Sequence, residues 1–329
     1  MKILVTGSEG SLMQAVIPKL VEKGHQVYGV DNLVRYGERL GIAKSGYQFI
    51  KGDLVDNVVV DDLFRHAQPD VVIQAAARIY GIGGFNDYCA DILGEDITLH
   101  NNILKASVEH GVSRVVYISS SMVYENCVQS LDKPVTEDMP DWNRAPTTDY
   151  GLSKFTGERL SKAFNRQYGL EYTIWRPFNI ITPYEKGEEE LGHSHVFADY
   201  IRNIIFEDMN PLPIIGDGSQ IRCFTWIDEV AQAIADYSFG ESTLNEIFNL
   251  GNPEPITMRE LANIIYEFGV QNDLIMPQSK GLSFRTVKEY SDDVKIRVPD
   301  VAKAKVILGW NAKQKVRDSV KLCLENAAV

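Results

Sequence analysis

A tyrosine and a lysine, Tyr150 and Lys154, stand four residues apart on a stretch with helical periodicity. Residues i and i+4 of a helix share one face, so the phenol and the ammonium group are neighbours. A phenol with a pKa near 10 is a poor base at neutral pH, but an adjacent cation favours its phenolate. The pair is therefore predicted to take the proton from an alcohol as hydride leaves the same carbon.

Three serines, Ser119, Ser120 and Ser121, end an apolar run upstream of Tyr150. A hydroxyl at the carboxyl end of a strand can hold a substrate oxygen and stabilise the charge that develops on it. Such serines equally often bind the backbone of a loop, so both roles stay open at this point.

A glycine-rich turn follows the first apolar run and contains Gly7 and Gly10. Such a turn at the start of a helix presents free N–H groups to a pyrophosphate. Asp31 stands about 20 residues further on, where a carboxylate binds ribose hydroxyls and repels a 2′-phosphate. This arrangement predicts NAD, with NADP as the alternative because Arg35 is close.

The turn departs from the usual pattern at the third glycine position, which Met13 occupies. Pro18 follows and removes a helix hydrogen bond, so the helix after the turn is expected to be displaced or kinked. Asp53 follows a later apolar run and is placed to meet the adenine amino group, with a loop-capping role as the equal alternative.

Short apolar runs alternate with amphipathic stretches through the first half of the chain, which indicates βαβ units and a parallel sheet. The predicted strands are Lys2–Thr6, Gln26–Val30, Tyr47–Lys51, Val71–Gln74, Arg114–Ser119 and Tyr172–Arg176. The predicted helices are Ser11–Lys23, Val58–Ala67, Ile92–Glu109 and Gly151–Arg166.

These elements predict an α/β fold, a doubly wound parallel (Rossmann) sheet with its ligand crevice beyond the carboxyl ends of the strands. We place the NAD-binding domain at residues 1–178 and a smaller C-terminal substrate-binding lobe at residues 179–329. Segments of the second lobe are expected to return to the first domain.

The composition excludes several classes of partner. A net charge of −12 at pH 7 repels nucleic acids and anionic membrane surfaces, so neither is expected as a partner. The four cysteines form no CxxC pair, which predicts no metal site and a reduced, cytoplasmic protein. The first residues enter a strand pattern directly, without the features of a signal peptide.

Taken together, these residues resemble the extended short-chain dehydrogenase/reductase family, specifically its NAD-dependent nucleotide-sugar epimerases and dehydratases. The motifs that carry the resemblance are Thr6 to Gly10, Asp31, Gly52-Asp53, Ser119 to Tyr124, Tyr150 to Lys154, Arg176 to Asn179, Gly216 to Gln220, Arg222, Phe224-Thr225, Asn249 to Asn252 and Leu308 to Trp310. The resemblance implies NAD as cofactor, a nucleotide-diphosphate sugar as substrate and a homodimer.

The resemblance also assigns roles to single residues. The catalytic group becomes Ser120 with Tyr150 and Lys154, and Ser121 contacts the substrate. Contacts to the diphosphate or base are expected from Asn179, Arg222 and Arg297, although an exposed turn is the alternative for Arg297. Contacts to NAD are expected from Gly7, Gly10, Asp31, Asn32, Asp53, Leu54, Ala75 and Lys154.

His195 lies in a segment similar to the Ser-His-Val of GDP-fucose synthases, in which the histidine is an acid in the sugar site. The resemblance therefore makes His195 a catalytic candidate. A histidine in a loop is also often a surface or packing residue.

The subtype depends on Ser121 and Met122. Dehydratases of the family carry Asp-Glu at these positions, and GDP-sugar 3,5-epimerases and fucose synthases carry a cysteine where Met122 stands. A thioether cannot shuttle a proton. We therefore expect hydride chemistry at one carbon, most simply 4-epimerisation through a 4-keto sugar. Alternatives are a nucleotide-sugar dehydrogenase, 4-keto reductase or dehydratase, and a non-catalytic module that senses NAD or NADP. Gln74 and Asp96 also depart from the residues usual in the family.

Overall fold

The computed structural model describes residues 1–37, 46–291 and 293–326. Its strands are β1 (Lys2–Thr6), β2 (Gln26–Asp31), β3 (Gln48–Lys51), β4 (Val71–Gln74), β5 (Arg114–Ile118), β6 (Glu171–Pro177), β7 (Ile180–Ile181), β8 (Leu212–Ile215), β9 (Ile221–Cys223), β10 (Thr225–Trp226), β11 (Glu246–Leu250), β12 (Pro255–Thr257) and β13 (Phe284–Val287). Its helices are α1 (Ser11–Glu22), α2 (Asn57–Ala67), α3 (Ile82–Asp87), α4 (Cys89–Glu109), α5 (Asp149–Tyr168), α6 (Val196–Ile201), α7 (Ile227–Tyr237), α8 (Met258–Gln271), α9 (Ala302–Leu308) and α10 (Val316–Asn326).

The main sheet has seven parallel strands in the order β11-β6-β5-β4-β1-β2-β3. The chain builds outward from β1 to β3 on one side and then from β4 to β11 on the other. The strand order therefore reverses beside β1, which opens a crevice at the carboxyl ends of β1 and β4. This confirms the predicted doubly wound α/β sheet.

Side chains of the sheet alternate between two apolar layers, as the period of two requires. Ile3 and Val5 pack in the layer that contains α1 and α7, whereas Leu4 packs in the layer that contains α2 and α4. Both layers are closed to solvent, and they fix the ends of the strands that carry the glycine-rich turn and the serines.

The predicted strands and helices of the first half are all present. The largest difference is at α4, which begins at Cys89 rather than Ile92. The seventh strand, β11, comes from the C-terminal half of the chain and pairs with β6 from Glu246–Thr173 to Leu250–Pro177. The boundary at residue 178 thus does not separate the main sheet from everything that follows.

The remaining strands form two-stranded sheets, which pair β7 with β10, β8 with β13 and β9 with β12. Pro18 lies inside α1 without ending the helix, and Met13 is buried in the core against the sheet. Within the described ranges, no helix is both long and apolar enough to cross a membrane.

Candidate active site

A cavity opens at the carboxyl ends of the central strands, and loops of the C-terminal half close its other side. The predicted site residues on its wall are Gly7, Gly10, Ala75, Ser120, Ser121, Tyr150, Lys154, Asn179, His195, Arg222 and Arg297. Separate stretches of the chain therefore converge at the crevice that a doubly wound sheet provides.

Asp31, Asn32, Asp53 and Leu54 do not line this cavity. Asn32 is exposed, and Leu54 is buried in the core. Asp53 is exposed, and its Oδ1 accepts a hydrogen bond from the backbone N–H of Val55 at 3.0 Å. The structure thus gives Asp53 the loop-capping contact that was its alternative role, and an adenine contact stays a prediction.

The glycine-rich turn brings the backbone close to the segment after β4. Gly7 has a φ of +65°, and a Cβ there would lie 2.8 Å from the Cα of Ala76. The backbone N–H of Gly10 donates to the carbonyl of Gly7 at 2.9 Å. A side chain at Gly7 would be strained by the positive φ and would also collide with the backbone of Ala76.

Asp31 lies beside that turn at the end of β2. Its Oδ2 accepts a hydrogen bond from the N–H of Glu9 at 3.1 Å, and its Oδ1 accepts one from the N–H of Leu33 at 2.8 Å. These bonds hold the carboxylate in one orientation next to the turn, where the sequence predicts contact with ribose hydroxyls.

Arg35 is engaged elsewhere. Its Nε donates to the carbonyl of Ile79 at 3.0 Å, its Nη2 donates to the carbonyl of His193 at 3.3 Å, and its Nη1 forms an ion pair with Glu188. A guanidinium with these partners is not free to bind a 2′-phosphate, which removes the reason for keeping NADP as the alternative.

Ser120, Tyr150 and Lys154 meet at the cavity. Ser120 caps a 3₁₀ turn over Ser121–Tyr124 and accepts a hydrogen bond from the N–H of Met122 at 3.1 Å. Tyr150 is buried against Phe85, with parallel rings whose centroids are 4.4 Å apart. The Nζ of Lys154 donates to the carbonyl of Ile118 at 3.1 Å and lies 5.7 Å from the centre of the Tyr150 ring.

The start of α5 is fixed by a buried carboxylate. Thr148 caps the helix by accepting a hydrogen bond from the N–H of Gly151 at 3.0 Å. Glu125 in turn accepts hydrogen bonds from the N–H and the hydroxyl of Thr148, at 2.8 and 2.7 Å. An acidic group at a helix N-terminus is stabilising, and here it holds the turn that carries Tyr150.

Burial is the main influence on the proton affinity of Tyr150. Burial raises the pKa of Tyr150 above its usual value, and the negative charge of Asp96 raises it further. A hydrogen bond from Ser120 and the charge of Arg297 act in the opposite direction without overcoming the burial. Loss of solvent thus outweighs the Arg297 cation in setting this pKa, and the effect of Lys154 on the phenolate stays a prediction.

His195 forms a pair with Glu185 on the cavity wall. Its Nδ1 lies 2.8 Å from Oε1 and 2.9 Å from Oε2 of Glu185, and its backbone N–H donates to the same carboxylate at 3.0 Å. Burial lowers the pKa of His195, but the Glu185 carboxylate outweighs it and leaves the pKa raised. The imidazole is therefore oriented through Nδ1, and Nε2 is left for other partners.

Two buried guanidinium groups face the same cavity. The Nη2 of Arg222 forms an ion pair with Asp293 at 2.6 Å, and the Nη1 of Arg297 lies 2.9 Å from the sulfur of Met122. Arg297 is only 5% exposed, so the alternative of an exposed turn is wrong. Burial and the charge of Arg222 lower the pKa of Arg297 to about 10, so it still carries its charge at neutral pH. Two such groups suit a diphosphate.

Comparison with known proteins identifies the family. A family model described as the NAD dependent epimerase/dehydratase family matches residues 3–251 of the chain. The chain belongs to this family. It is therefore an NAD-dependent enzyme of the extended short-chain dehydrogenase/reductase type, as the sequence predicted.

Individual relatives are distant but cover nearly the whole chain. A putative UDP-glucose 4-epimerase of Methanocaldococcus jannaschii is 29% identical over 323 residues, which covers 97% of this chain and 96% of the relative. GDP-L-fucose synthase 1 of Arabidopsis thaliana is 27% identical and covers 97% of this chain and 90% of its own. The crystal structure of UDP-glucose 4-epimerase from Thermotoga maritima with UDP-glucose superposes with a TM-score of 0.81 at 26% identity, covering 99% and 98%. The relatives are thus nucleotide-sugar epimerases and related enzymes.

The residues present fit the NAD of this epimerase/dehydratase family. In α1, no described side chain caps the N-terminus at Gly10, so the N–H groups of its first turn are available to a pyrophosphate. Gly7 lets the turn pack against the backbone of Ala75 and Ala76 beside these groups. Asp31 lies beside the turn, where the sequence predicts a contact with the ribose, and Lys154 and Ala75 line the cavity.

Sequence reasoning missed the partners of the catalytic candidates. Glu185 lies ten residues before His195 in a loop, and Phe85 lies far from Tyr150 in the chain. No periodicity or spacing links either pair. A buried acidic residue inside α4, Asp96, was visible only as a departure from the family.

Proposed function

We propose that this protein is a nucleotide-sugar 4-epimerase that works through a 4-keto sugar and retains its NAD. The observation that carries the proposal is the composition of the cavity wall around Tyr150. A hydroxyl is present at Ser120 and a phenol at Tyr150, whereas Ser121 and Met122 provide neither the acid nor the base that loss of water would need.

Ser120 and Tyr150 have different roles at C4 of the sugar. Ser120 hydrogen-bonds the O4 oxygen, and Tyr150 removes its proton. Bound NAD supplies the acceptor and later the donor of hydride. The cavity would let the keto sugar turn over, and Tyr150 would then return the proton to O4, acting first as base and then as acid at the same oxygen. This scheme depends on enough space for the keto sugar to turn in the cavity rather than on further titratable groups.

The nucleotide end of the substrate is assigned to the buried arginines. Arg222 and Arg297 bind the diphosphate, and Asn179 contacts it from the segment after β6. The net charge of the protein is −12, so these guanidinium groups supply the local positive potential that an anionic substrate needs.

The His195–Glu185 pair supports a second candidate function. An imidazole oriented by a buried carboxylate can exchange a proton at a carbon next to the keto group. The protein would then also epimerise C3 or C5, or act as a 4-keto reductase with this group as the acid.

The proposal is tested by incubating the protein with UDP-, GDP-, CDP- and dTDP-sugars and following the products by NMR. We expect one nucleotide sugar to be converted to its C4 epimer without added reductant. Conversion to a 4-keto-6-deoxy sugar, or net consumption of NADPH, would contradict 4-epimerisation.

Replacing Tyr150 distinguishes an enzyme from a module that only senses the cofactor. Tyr150→Phe is expected to lower kcat at least about 100-fold while NAD binding persists, since proton transfer typically contributes 10² to 10⁴. The matched control is Tyr168→Phe, an exposed tyrosine on the same helix, which should retain wild-type turnover. Retained turnover in Tyr150→Phe would remove the proposed base.

We also propose a homodimer that pairs through the outer faces of α4 and α5, which pack against each other in the monomer. Two such helix pairs can form a four-helix interface. The proposal rests on the family resemblance rather than on a contact within this chain.

A further inference from the structure

Arg35 joins three segments of the chain that are far apart in sequence. It follows β2, and each nitrogen of its guanidinium has a partner. Nε donates to the carbonyl of Ile79 at 3.0 Å, Nη2 donates to the carbonyl of His193 at 3.3 Å, and Nη1 forms an ion pair with Glu188. The Cζ atom lies 4.7 Å from the centre of the Tyr80 ring. A planar guanidinium with fixed donor directions suits such a junction.

The turn that carries Arg35 is built on Asp31. The N–H of Leu33 donates to Oδ1 of Asp31 at 2.8 Å, and the N–H of Gly37 donates to the carbonyl of Leu33 at 3.0 Å. The other carboxylate oxygen of Asp31 accepts from the N–H of Glu9 in the glycine-rich turn. Arg35 is therefore held close to the carboxylate that the sequence assigns to the ribose of NAD.

The segment after β4 packs against the loop of residues 185–195, which leads into α6, and both line the cavity. The N–H of Gly81 donates to the carbonyl of His193 at 2.9 Å, and the N–H of Gly83 donates to the carbonyl of Gly192 at 2.9 Å. A Cβ at Gly81 would collide with the carbonyl oxygen of Ser194. The two backbones are thus in direct contact, and Arg35 binds a carbonyl of each.

The 185–195 loop is cross-linked by its own hydrogen bonds. The N–H of Glu188 donates to the hydroxyl oxygen of Ser194 at 2.7 Å, and that hydroxyl donates to the carbonyl of Lys186 at 3.2 Å. Glu185 accepts from the backbone N–H of His195 and contacts its imidazole. Holding Glu188 in place therefore also holds the loop that carries the His195–Glu185 pair.

We propose that Arg35 is a positioning residue that ties the 185–195 loop to the turn after Asp31 and thereby couples NAD binding to the order of that loop. When NAD fixes the turn, Arg35 is fixed with it, and the loop loses freedom at the same time. The coupling acts equally in both directions, so a loop that is already tied strengthens NAD binding. The inference rests on NAD binding beside Asp31 and is independent of 4-epimerisation.

A contact between Arg35 and a cofactor phosphate is the competing role, and Arg35→Lys separates the two. An ammonium ion keeps the positive charge, but it cannot bind two carbonyls and a carboxylate in the directions of the guanidinium. If Arg35 ties the loop, the lysine variant loses the coupling, and NAD and NADP weaken by the same factor. A change in the affinity for only one of the two cofactors would overturn the proposal.

Amide hydrogen exchange with and without saturating NAD measures the coupling. In the wild type, we expect NAD to slow exchange in residues 186–195 by about 5- to 150-fold, the usual range of such couplings. In Arg35→Lys, this protection should be lost while residues 7–10 stay protected by NAD. The control is Arg65→Lys, an exposed arginine paired with Asp61, which should behave as the wild type. Absence of the loop protection in the wild type, or its persistence in Arg35→Lys, would overturn the proposal.

A double-mutant cycle on NAD affinity tests the Arg35–Glu188 contact itself. By calorimetry, Arg35→Lys and Glu188→Gln should each raise the Kd for NAD at least about fivefold. The double variant should have a Kd no higher than the weaker-binding single variant, because either change already breaks the tie. Unchanged affinity in the single variants, or multiplied effects in the double variant, would refute the coupling. Neither measurement needs a sugar substrate, so failure of the 4-epimerase assignment would leave both outcomes readable.

Discussion

The buried ion pair between Arg176 and Glu158 gives the sharpest prediction for the scaffold that holds the site. Glu158 lies one turn beyond Lys154 on α5, and Arg176 is the next-to-last residue of β6, shortly before Asn179. The guanidinium donates from Nε and Nη2 to Glu158 at 2.8 and 2.7 Å, and from Nη1 to the hydroxyl of Tyr124 at 2.7 Å. Both side chains of the pair are 2% exposed.

Removing the guanidinium alone leaves a carboxylate that cannot reach water. In Arg176→Met, the described partner left to Glu158 is the hydroxyl of Ser119 at 2.6 Å. Breaking one side of such a pair costs about 3–5 kcal/mol, mainly because the remaining charge is buried without compensation. The double variant Arg176→Met/Glu158→Leu removes both charges, and we expect it to be at least about 1 kcal/mol more stable than Arg176→Met.

Urea unfolding at pH 7, monitored by circular dichroism, measures these differences in stability as shifts of the urea concentration at the unfolding midpoint. Arg317→Ala breaks an exposed ion pair with Glu267 and is the control, with an expected change below about 1 kcal/mol. The reasoning would be refuted if Arg176→Met lost less than about 1 kcal/mol in its free energy of unfolding. It would also be refuted if the loss in the double variant equalled the sum of the losses in Arg176→Met and Glu158→Leu.

The remaining predictions concern the cofactor and the assembly. Gly7→Ala should destabilise the protein by more than about 1 kcal/mol and weaken NAD binding, because φ is +65° and the new Cβ would lie 2.8 Å from the Cα of Ala76; thermal unfolding and calorimetry measure both. NAD should bind more tightly than NADP because of Asp31, and Arg35→Gln should not change that preference; equal or tighter NADP binding would contradict the assignment. Sedimentation at micromolar concentration should give a dimer, and a monomer would contradict the proposed interface.

Local periodicity made the first half of the fold predictable. Strands such as Val71–Gln74 are short apolar runs between amphipathic helices, and their pairing follows from the right-handed crossover rule. The strand Glu246–Leu250 could not be placed in the sheet from its sequence, because its partner β6 is distant in the chain and no local pattern specifies their pairing.

The residues of the candidate site likewise differ in whether their relations are local or long-range in the chain. Tyr150 and Lys154 were found because i and i+4 on a helix is a local relation. Glu185, Asp96 and Phe85 act through contacts between segments that only the folded chain brings together. The raised pKa of Tyr150 could not be foreseen for that reason, since it depends on burial and on the charge of Asp96.

Isotope exchange tests the proposed 4-epimerisation most directly. The protein is incubated in deuterated water with the nucleotide sugar that it converts, and the product is examined by NMR and mass spectrometry. If hydride chemistry is confined to C4, the product has the mass of the substrate and carries no deuterium at C3 or C5. Deuterium at either carbon, or a product lighter by one water, would contradict the assignment and would make His195 with Glu185 the second acid–base group of the site.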